Sequence, residues 1–199
     1  MHNLGVPTTR AASLVICDEL VKRDPFYNGH VRLEQAAVVL RLCPSFLRFG
    51  CFQICLEDAQ CYKPDPKENR KTLQALADYL IKYNYPELLN EDSDPYEELF
   101  KQLVEKSAKL VAKWQSIGFV HGVLYTDNMS MMGVTIDYGP FSFIDYFSKD
   151  FVSNLTDDRE RYSYRQQPTT VKWNLNMLAE ALDPLVPTDI LKRHVSHEY

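Results

Sequence analysis

No run of 18 apolar residues occurs in this chain, so no membrane-spanning helix is expected. The first residues carry no secretory pattern either, because Asp18, Glu19 and Arg23 interrupt any apolar stretch. Basic charge is not in excess: 22 Lys and Arg against 27 Asp and Glu leave a net charge of −5, which argues against a nucleic-acid partner. Glycine is scarce, with seven residues scattered along the chain, and none of them forms the Gly-rich cradle that wraps phosphates. The five cysteines are odd in number, and Cys51, Cys55 and Cys61 have no histidine nearby at zinc-finger spacing. They read as buried thiols of a reducing compartment, with a metal cluster as the alternative. Internal repeats and low-complexity tracts are lacking as well.

What is present suffices for a core: 45% of the 199 residues are hydrophobic, in the usual range of one domain. Ser13 to Ile16 and Ala36 to Leu42 are apolar and β-branched and read as strands, joined by an exposed turn at Asp24-Pro-Phe-Tyr-Asn-Gly29. Cys61 to Arg70, with Lys-Pro-Asp-Pro-Lys inside it, reads as a loop and as the hinge between two parts of the molecule. Leu73, Leu76, Ala77, Leu80 and Ile81 then recur at helical spacing until Pro86. A second helix starts at a Ser93 or Asp94 cap with Pro95 in its first turn, buries a face from Leu99 to Ile117, and stops at Gly118. A last helix spans Val171 to Leu182 before Pro184 and Pro187, and the tail from Thr188 reads as a cut helix. Phe141, Phe143 and Tyr146 are expected to pack inward, and Asp157 to Arg161 to form a solvated charge run.

The block from His121 to Phe143 carries the chemistry. Asn128 stands nine residues before Asp137, which precedes Tyr138-Gly139. Mg²⁺ takes hard oxygen donors, often one or two side chains plus phosphate oxygens, and Asn128 and Asp137 can supply them. Met131 to Ile136, turning at Gly133, is expected to form a hairpin that returns Asp137 to face Asn128. Asp127 is then left as a base for an incoming hydroxyl. The plainer alternative is that Thr-Asp-Asn is a surface turn. Arg41 and Arg48, seven residues apart, have forks that suit phosphate; exposed surface arginines are the plainer reading. His121 reads as a core residue rather than a base.

The order of helix, loop with Asp and Asn, and then Asp before Gly follows the protein-kinase catalytic apparatus, although here the loop Asp and Asn are adjacent. The signatures are Gly5-Val-Pro-Thr-Thr-Arg10-Ala, Pro44-Ser-Phe-Leu-Arg48-Phe-Gly50, Trp114-Gln-x-x-Gly-Phe, the His121 to Phe143 block, Gln167-Pro168 and Trp173-Asn174-Leu175. On these, from Leu4 to about Leu182, the chain resembles the selenoprotein O or YdiU family of kinase-like protein adenylyltransferases. The resemblance implies an α+β, protein-kinase-like fold. Residues 1–60 would be the remnant of the small lobe and 61–199 the helical large lobe. It also implies transfer of AMP from ATP, bound in reverse orientation, to Ser, Thr or Tyr hydroxyls of proteins. Asp127 would be the catalytic proton acceptor, Asn128 and Asp137 the ligands of Mg²⁺, and Arg41, Arg48 and Asp137 the residues that hold the nucleotide. The implied partners are ATP and hydroxyl-bearing proteins, without nucleic acid or membrane. The implied location is mitochondrial for a eukaryotic member and cytoplasmic otherwise.

Two departures qualify the match. Tyr125 stands where the family usually has Asn, and its ring is expected either to crowd the loop or to face outward. The family's phosphate-covering loop, lysine and paired acid lie upstream of the Gly5 segment, so an N-terminally shortened chain with impaired turnover is expected. The competing class is a non-catalytic, pseudokinase-like interaction module, and ordinary phosphotransfer is a third reading.

Overall fold

The computed structural model of the protein describes residues 1–26, 28–56, 66–90 and 92–199. Strand β1 (Arg10–Arg23) runs antiparallel to β2 (Arg32–Leu42), from Arg10 opposite Leu42 to Arg23 opposite Arg32. The register shifts between Ala11 and Ser13 and again between Ile16 and Leu20. Both strands extend well beyond the apolar runs that announce them, because ladder hydrogen bonding continues through the charged ends. In the connection, the Asp24 carboxylate accepts from the backbone N–H of Asn28 at 3.1 Å and of Gly29 at 2.7 Å. Gly29 adopts a φ of 82°, which closes the turn. The hairpin stays open to solvent: Leu14, Ile16, Val38 and Leu40 are each more than half exposed.

A short helix α1 (Phe49–Gln53) follows. Residues 57–65 lie outside the described residues, and with them the expected boundary near residue 60 and most of the expected hinge. The rest of that segment corrects the expectation, since Pro66 to Arg70 is the start of helix α2 (Pro66–Asn84) rather than loop. A proline at the first helical position needs no N–H there, which explains why a Pro-containing stretch can open a helix.

Helix α3 (Pro95–Ser116) begins where the Asp94 carboxylate accepts from Tyr96 N at 2.9 Å. Gly118, at φ 68°, takes the chain out of it. A Cβ there would stand 2.7 Å from Ile144 Cγ1, so the exit is also too tight for a side chain. Strand β3 (Phe119–Val120) then pairs antiparallel with β4 (Ser142–Phe143). Helix α4 (Gln167–Ala181) starts four residues before the predicted Val171, and α5 (Thr188–Glu198) completes the helix suspected in the tail.

The core lies among α2 to α5, where Leu80, Phe100, Leu103, Trp114, Leu178 and Leu191 are almost fully buried. Two small antiparallel sheets plus helices make the architecture mixed, of α+β type. Phe143 packs edge-on against Phe119 with centroids 5.5 Å apart, and Phe141 stacks on it at 6.1 Å. Tyr146, expected to join them, is instead 81% exposed. The Asp157 to Arg161 run is solvated as expected, with Asp158 to Arg161 exposed, and it is also shaped as a turn. The Asp157 carboxylate accepts from Arg161 N and Tyr162 N, and the Arg161 guanidinium lies 4.9 Å from the Trp173 ring centroid.

Candidate active site

The segment Thr126–Asn128 forms a single 3₁₀ turn, held from several sides by backbone contacts. From above, residues 47–53 clasp it: Phe49 N donates to Met129 O at 3.0 Å and Met131 N to Leu47 O at 2.9 Å. Arg48 Nη1 donates to Asp127 O at 2.8 Å, and Thr126 Oγ1 to Gln53 Oε1 at 2.6 Å. The Asp127 carboxylate rests on Gly50. A Cβ at that position would overlap Oδ1 and stand 2.9 Å from Cγ, so only glycine leaves the carboxylate its place.

From below, helix α4 holds the approach to the turn. Gln167, fully buried, accepts from His121 N at 2.9 Å through Oε1 and donates to Phe119 O at 2.9 Å through Nε2. Asn174, also fully buried, donates to Leu124 O at 3.0 Å. Asn128 Nδ2 donates to Val123 O at 2.9 Å, which leaves its side-chain carbonyl oxygen as the free end of the amide. No bond to that oxygen occurs among the described residues.

The return to Asp137 differs from the expected hairpin. Met131 to Ile136 does not pair with itself. Ser130 bridges to Arg48 and Thr135 bridges in parallel to Thr8, so the segment is laid onto two earlier stretches of chain. Trp114 Nε1 donates to Thr135 Oγ1 at 2.9 Å, and the fully buried Tyr85 donates to Met131 O at 2.7 Å. Burial pushes the Tyr85 phenol well above its ordinary range, so it remains a donor at all working pH. Asp137 then adopts a φ of 59°, a left-handed conformation that Asp tolerates better than most side chains.

His121 sits beneath this turn, 1% exposed, with Nε2 2.8 Å from Ile136 O. That contact places the proton on Nε2, while Nδ1 is buried without a partner among the described residues. Burial lowers its pKa, against smaller opposing effects of the Ile136 carbonyl and the Asp137 charge. A neutral, enclosed imidazole packed on Trp114 and Phe119 agrees with its reading as core.

Arg41, Arg48 and Asp137 share one cleft of about 460 Å³, with Thr9, Phe46 and Tyr138 among its walls. Neither arginine is a freely solvated side chain. Arg41 Nη2 donates to Thr9 Oγ1 at 2.7 Å and its guanidinium lies 5.2 Å from the Tyr138 centroid, while Arg48 is tied to the loop. No hydrogen bond or ion pair joins either arginine to Asp137 among the described residues. The structure thus brings both arginines and Asp137 to one cleft; Asp127 and Asn128 are not among its walls, Asp127 being tied to it through Arg48 and Asn128 being 5% exposed. Tyr125 faces outward, 43% exposed.

Sequence reasoning passed over Gly50, Gln53, Gln167 and Asn174 as functional positions. Gly50 closes the Pro-Ser-Phe-Leu-Arg-Phe-Gly motif, but its meaning depends on a carboxylate 77 residues away, which no local pattern shows.

An oxygen-rich loop, two anchored guanidiniums and an exposed carboxylate around one cleft are the furniture of a nucleotide-handling protein. The whole chain, residues 1–199, matches the family model described as "Protein adenylyltransferase SelO". Relatives include "Protein nucleotidyltransferase YdiU" of Cytophaga hutchinsonii, 49% identical over 94% of this chain and 34% of that protein. "Protein adenylyltransferase SelO-1, mitochondrial" of Danio rerio is 48% identical over 94% of this chain and 28% of its own length. The human "Protein adenylyltransferase SelO, mitochondrial" is 42% identical over 100% of this chain and 31% of itself. The chain belongs to the SelO family, and it spans about a third of the length of these relatives.

Proposed function

We propose that the protein transfers AMP from ATP to Ser, Thr or Tyr hydroxyls of acceptor proteins, with Asp127, Asn128 and Asp137 at the reacting centre. The observation that carries this reading is the clasp of residues 47–53 on the Asp127 turn, in which the Arg48 guanidinium holds the Asp127 backbone carbonyl and the Asp127 carboxylate rests on Gly50. Asp127 takes the proton of the acceptor hydroxyl as that oxygen bonds to the α-phosphorus. The bond from the α-phosphorus to the oxygen bridging it to the β-phosphate breaks, and pyrophosphate leaves. Arg41 and Arg48, part-buried and pre-oriented, hold phosphate oxygens bidentately. Their fixed geometry lowers the cost of ordering on binding.

Mg²⁺ fits the donor set. The Asn128 carbonyl oxygen has no other partner among the described residues, and the Asp137 carboxylate is exposed beside the arginine cleft. Two hard oxygens, completed by water and phosphate, suit this ion. When bound, it would neutralise charge on the phosphates. Among the described residues no group of three His, Cys, Asp or Glu side chains could hold a metal, so the set would rest on this amide and carboxylate.

In the same reading the β1–β2 hairpin belongs to the small lobe (1–60) and the helices to the large lobe (61–199) of a protein-kinase-like fold. The antiparallel hairpin preceding the helices in chain order supports that placement. The net charge of −5 disfavours a nucleic-acid partner. No helix among the described residues is long and apolar enough to cross a membrane. The animal relatives are named mitochondrial and the bacterial ones are not, so the location follows the source.

Incorporation of label from α-labelled ATP, with Mg²⁺ and with Asp137→Ala as control, tests the chemistry. Label that disappears in the variant supports adenylyl transfer. Label from γ-labelled ATP instead indicates phosphotransfer, and ATP binding without incorporation indicates a non-catalytic module.

A further inference from the structure

A second cavity, of about 690 Å³, opens on the other side of the loop, and its walls begin where the reacting residues end. Tyr125, two residues before Asp127, forms one wall. Gly139 forms another, and a Cβ there would stand 3.6 Å from Asp137 Oδ1. The volume lies within the range of ligand sites and exceeds what a single side chain fills.

Its lining is mixed. Val123, Pro140 and Leu155 give apolar area, and the rings of Tyr125 and Tyr162 add flat, amphipathic surface. Ser153 lines it too, with its hydroxyl buried and without a hydrogen-bond partner among the described residues. Asn154 and Asp157 are already engaged: Asn154 Nδ2 donates to Gly122 O, its Oδ1 accepts from Thr156, and Asp157 accepts from Arg161 N and Tyr162 N.

The lining carries one cation, Arg23, and one carboxylate, Asp157, which is occupied by the backbone N–H groups of Arg161 and Tyr162. Arg23 lines the cavity and stands directly across the strand pair from Arg32. Like charges opposite one another in a hairpin repel, and an anion between them relieves the cost. Arg32 leans on the Phe26 ring at 5.6 Å, and neither guanidinium has an ion-pair partner among the described residues.

We propose that this cavity seats an extended segment of the acceptor protein, with a hydroxyl side chain directed to Asp127 and an acidic residue nearby held by Arg23 and Arg32. The inference rests on the reading of Asp127 as the proton acceptor. Tyr125 is then a specificity-determining residue, its ring lying flat under the acceptor backbone.

Binding can be read without any turnover. Three fluorescein-labelled hexapeptides, each with one central serine flanked by glutamates, alanines or lysines, are titrated with the protein in the absence of ATP and followed by anisotropy. The glutamate peptide is expected to bind roughly fivefold tighter than the alanine peptide, the scale of partly exposed charge pairs. The lysine peptide is expected to bind most weakly. Arg23→Glu should reverse the order of the charged peptides, and Tyr125→Ala should weaken all three severalfold. Both positions are exposed, and unchanged circular dichroism verifies the fold of each variant. Equal affinity for the three peptides, an order unmoved by Arg23→Glu, or no binding at all overturns the acceptor cavity. Because no nucleotide is present, a failure of AMP transfer leaves this result intact. AMP transfer whose acceptor KM is unmoved by Arg23→Glu would reject the cavity while sparing the chemistry.

Discussion

At the scale of single residues, Gly50 and His121 make the sharpest demands. Gly50 lies in a helical turn, where alanine is otherwise welcome, so any effect of Gly50→Ala must come from the carboxylate above it. Displacing Asp127 by an ångström is expected to lower AMP transfer about 100-fold while the melting temperature hardly moves. Parallel kinetics and calorimetry separate the two. His121 gives a pH signature. Burial holds its pKa below the ordinary 6.5, so the unfolded chain binds the proton more readily than the folded one. Stability from this residue is therefore full above pH 6.5 and is lost as the pH falls below that toward the folded value. His121→Gln keeps a donor and does not titrate, so the acid side of a plot of melting temperature against pH should flatten. Asp127, Asn128, Asp137, Arg41 and Arg48 are proposed as site residues from the sequence, and the structure brings three of them, Arg41, Arg48 and Asp137, to one cleft. Gly50 was visible as a motif letter but not as a contact, since its partner is remote in sequence.

At the scale of elements, α4 is more than a core helix. Its polar side chains Gln167 and Asn174 reach the backbone of residues 119–124 and fix the entry to the loop. Gln167→Leu leaves a buried N–H and a buried carbonyl without partners and is expected to cost about 2–4 kcal/mol. Thermal unfolding reads this as a drop of several degrees. The helices themselves were foreseeable from periodicity, as Leu99 to Trp114 shows: one apolar face between an Asp cap and a glycine exit. The Met131 to Ile136 stretch was misread as a hairpin because its apolar content and Gly133 satisfy hairpin rules. Its backbone hydrogen bonds go instead to Pro7, Thr9 and Leu47, and such long-range pairing leaves no local trace. The start of α2 was misread for the opposite reason, as Pro66 signals a break but also suits a first helical position.

At the scale of the molecule, the helical body and the hairpin differ in how they are held. The body buries a continuous core from α2 to α5, whereas the hairpin places Leu14, Ile16, Val38 and Leu40 in solvent. Exposed residues contribute little to folding, so Leu14→Thr with Leu40→Thr should leave stability within about 1 kcal/mol. The same pair removes part of a large apolar surface and should reduce light scattering in concentrated solution. The central claim remains the reaction at Asp127, Asn128 and Asp137, and α-labelled ATP with Mg²⁺ tests it most directly. The account predicts label on protein above the Asp137→Ala background, with none from γ-labelled ATP. A folded protein that gives no α-label, or as much with Asp137→Ala as without it, would contradict the account.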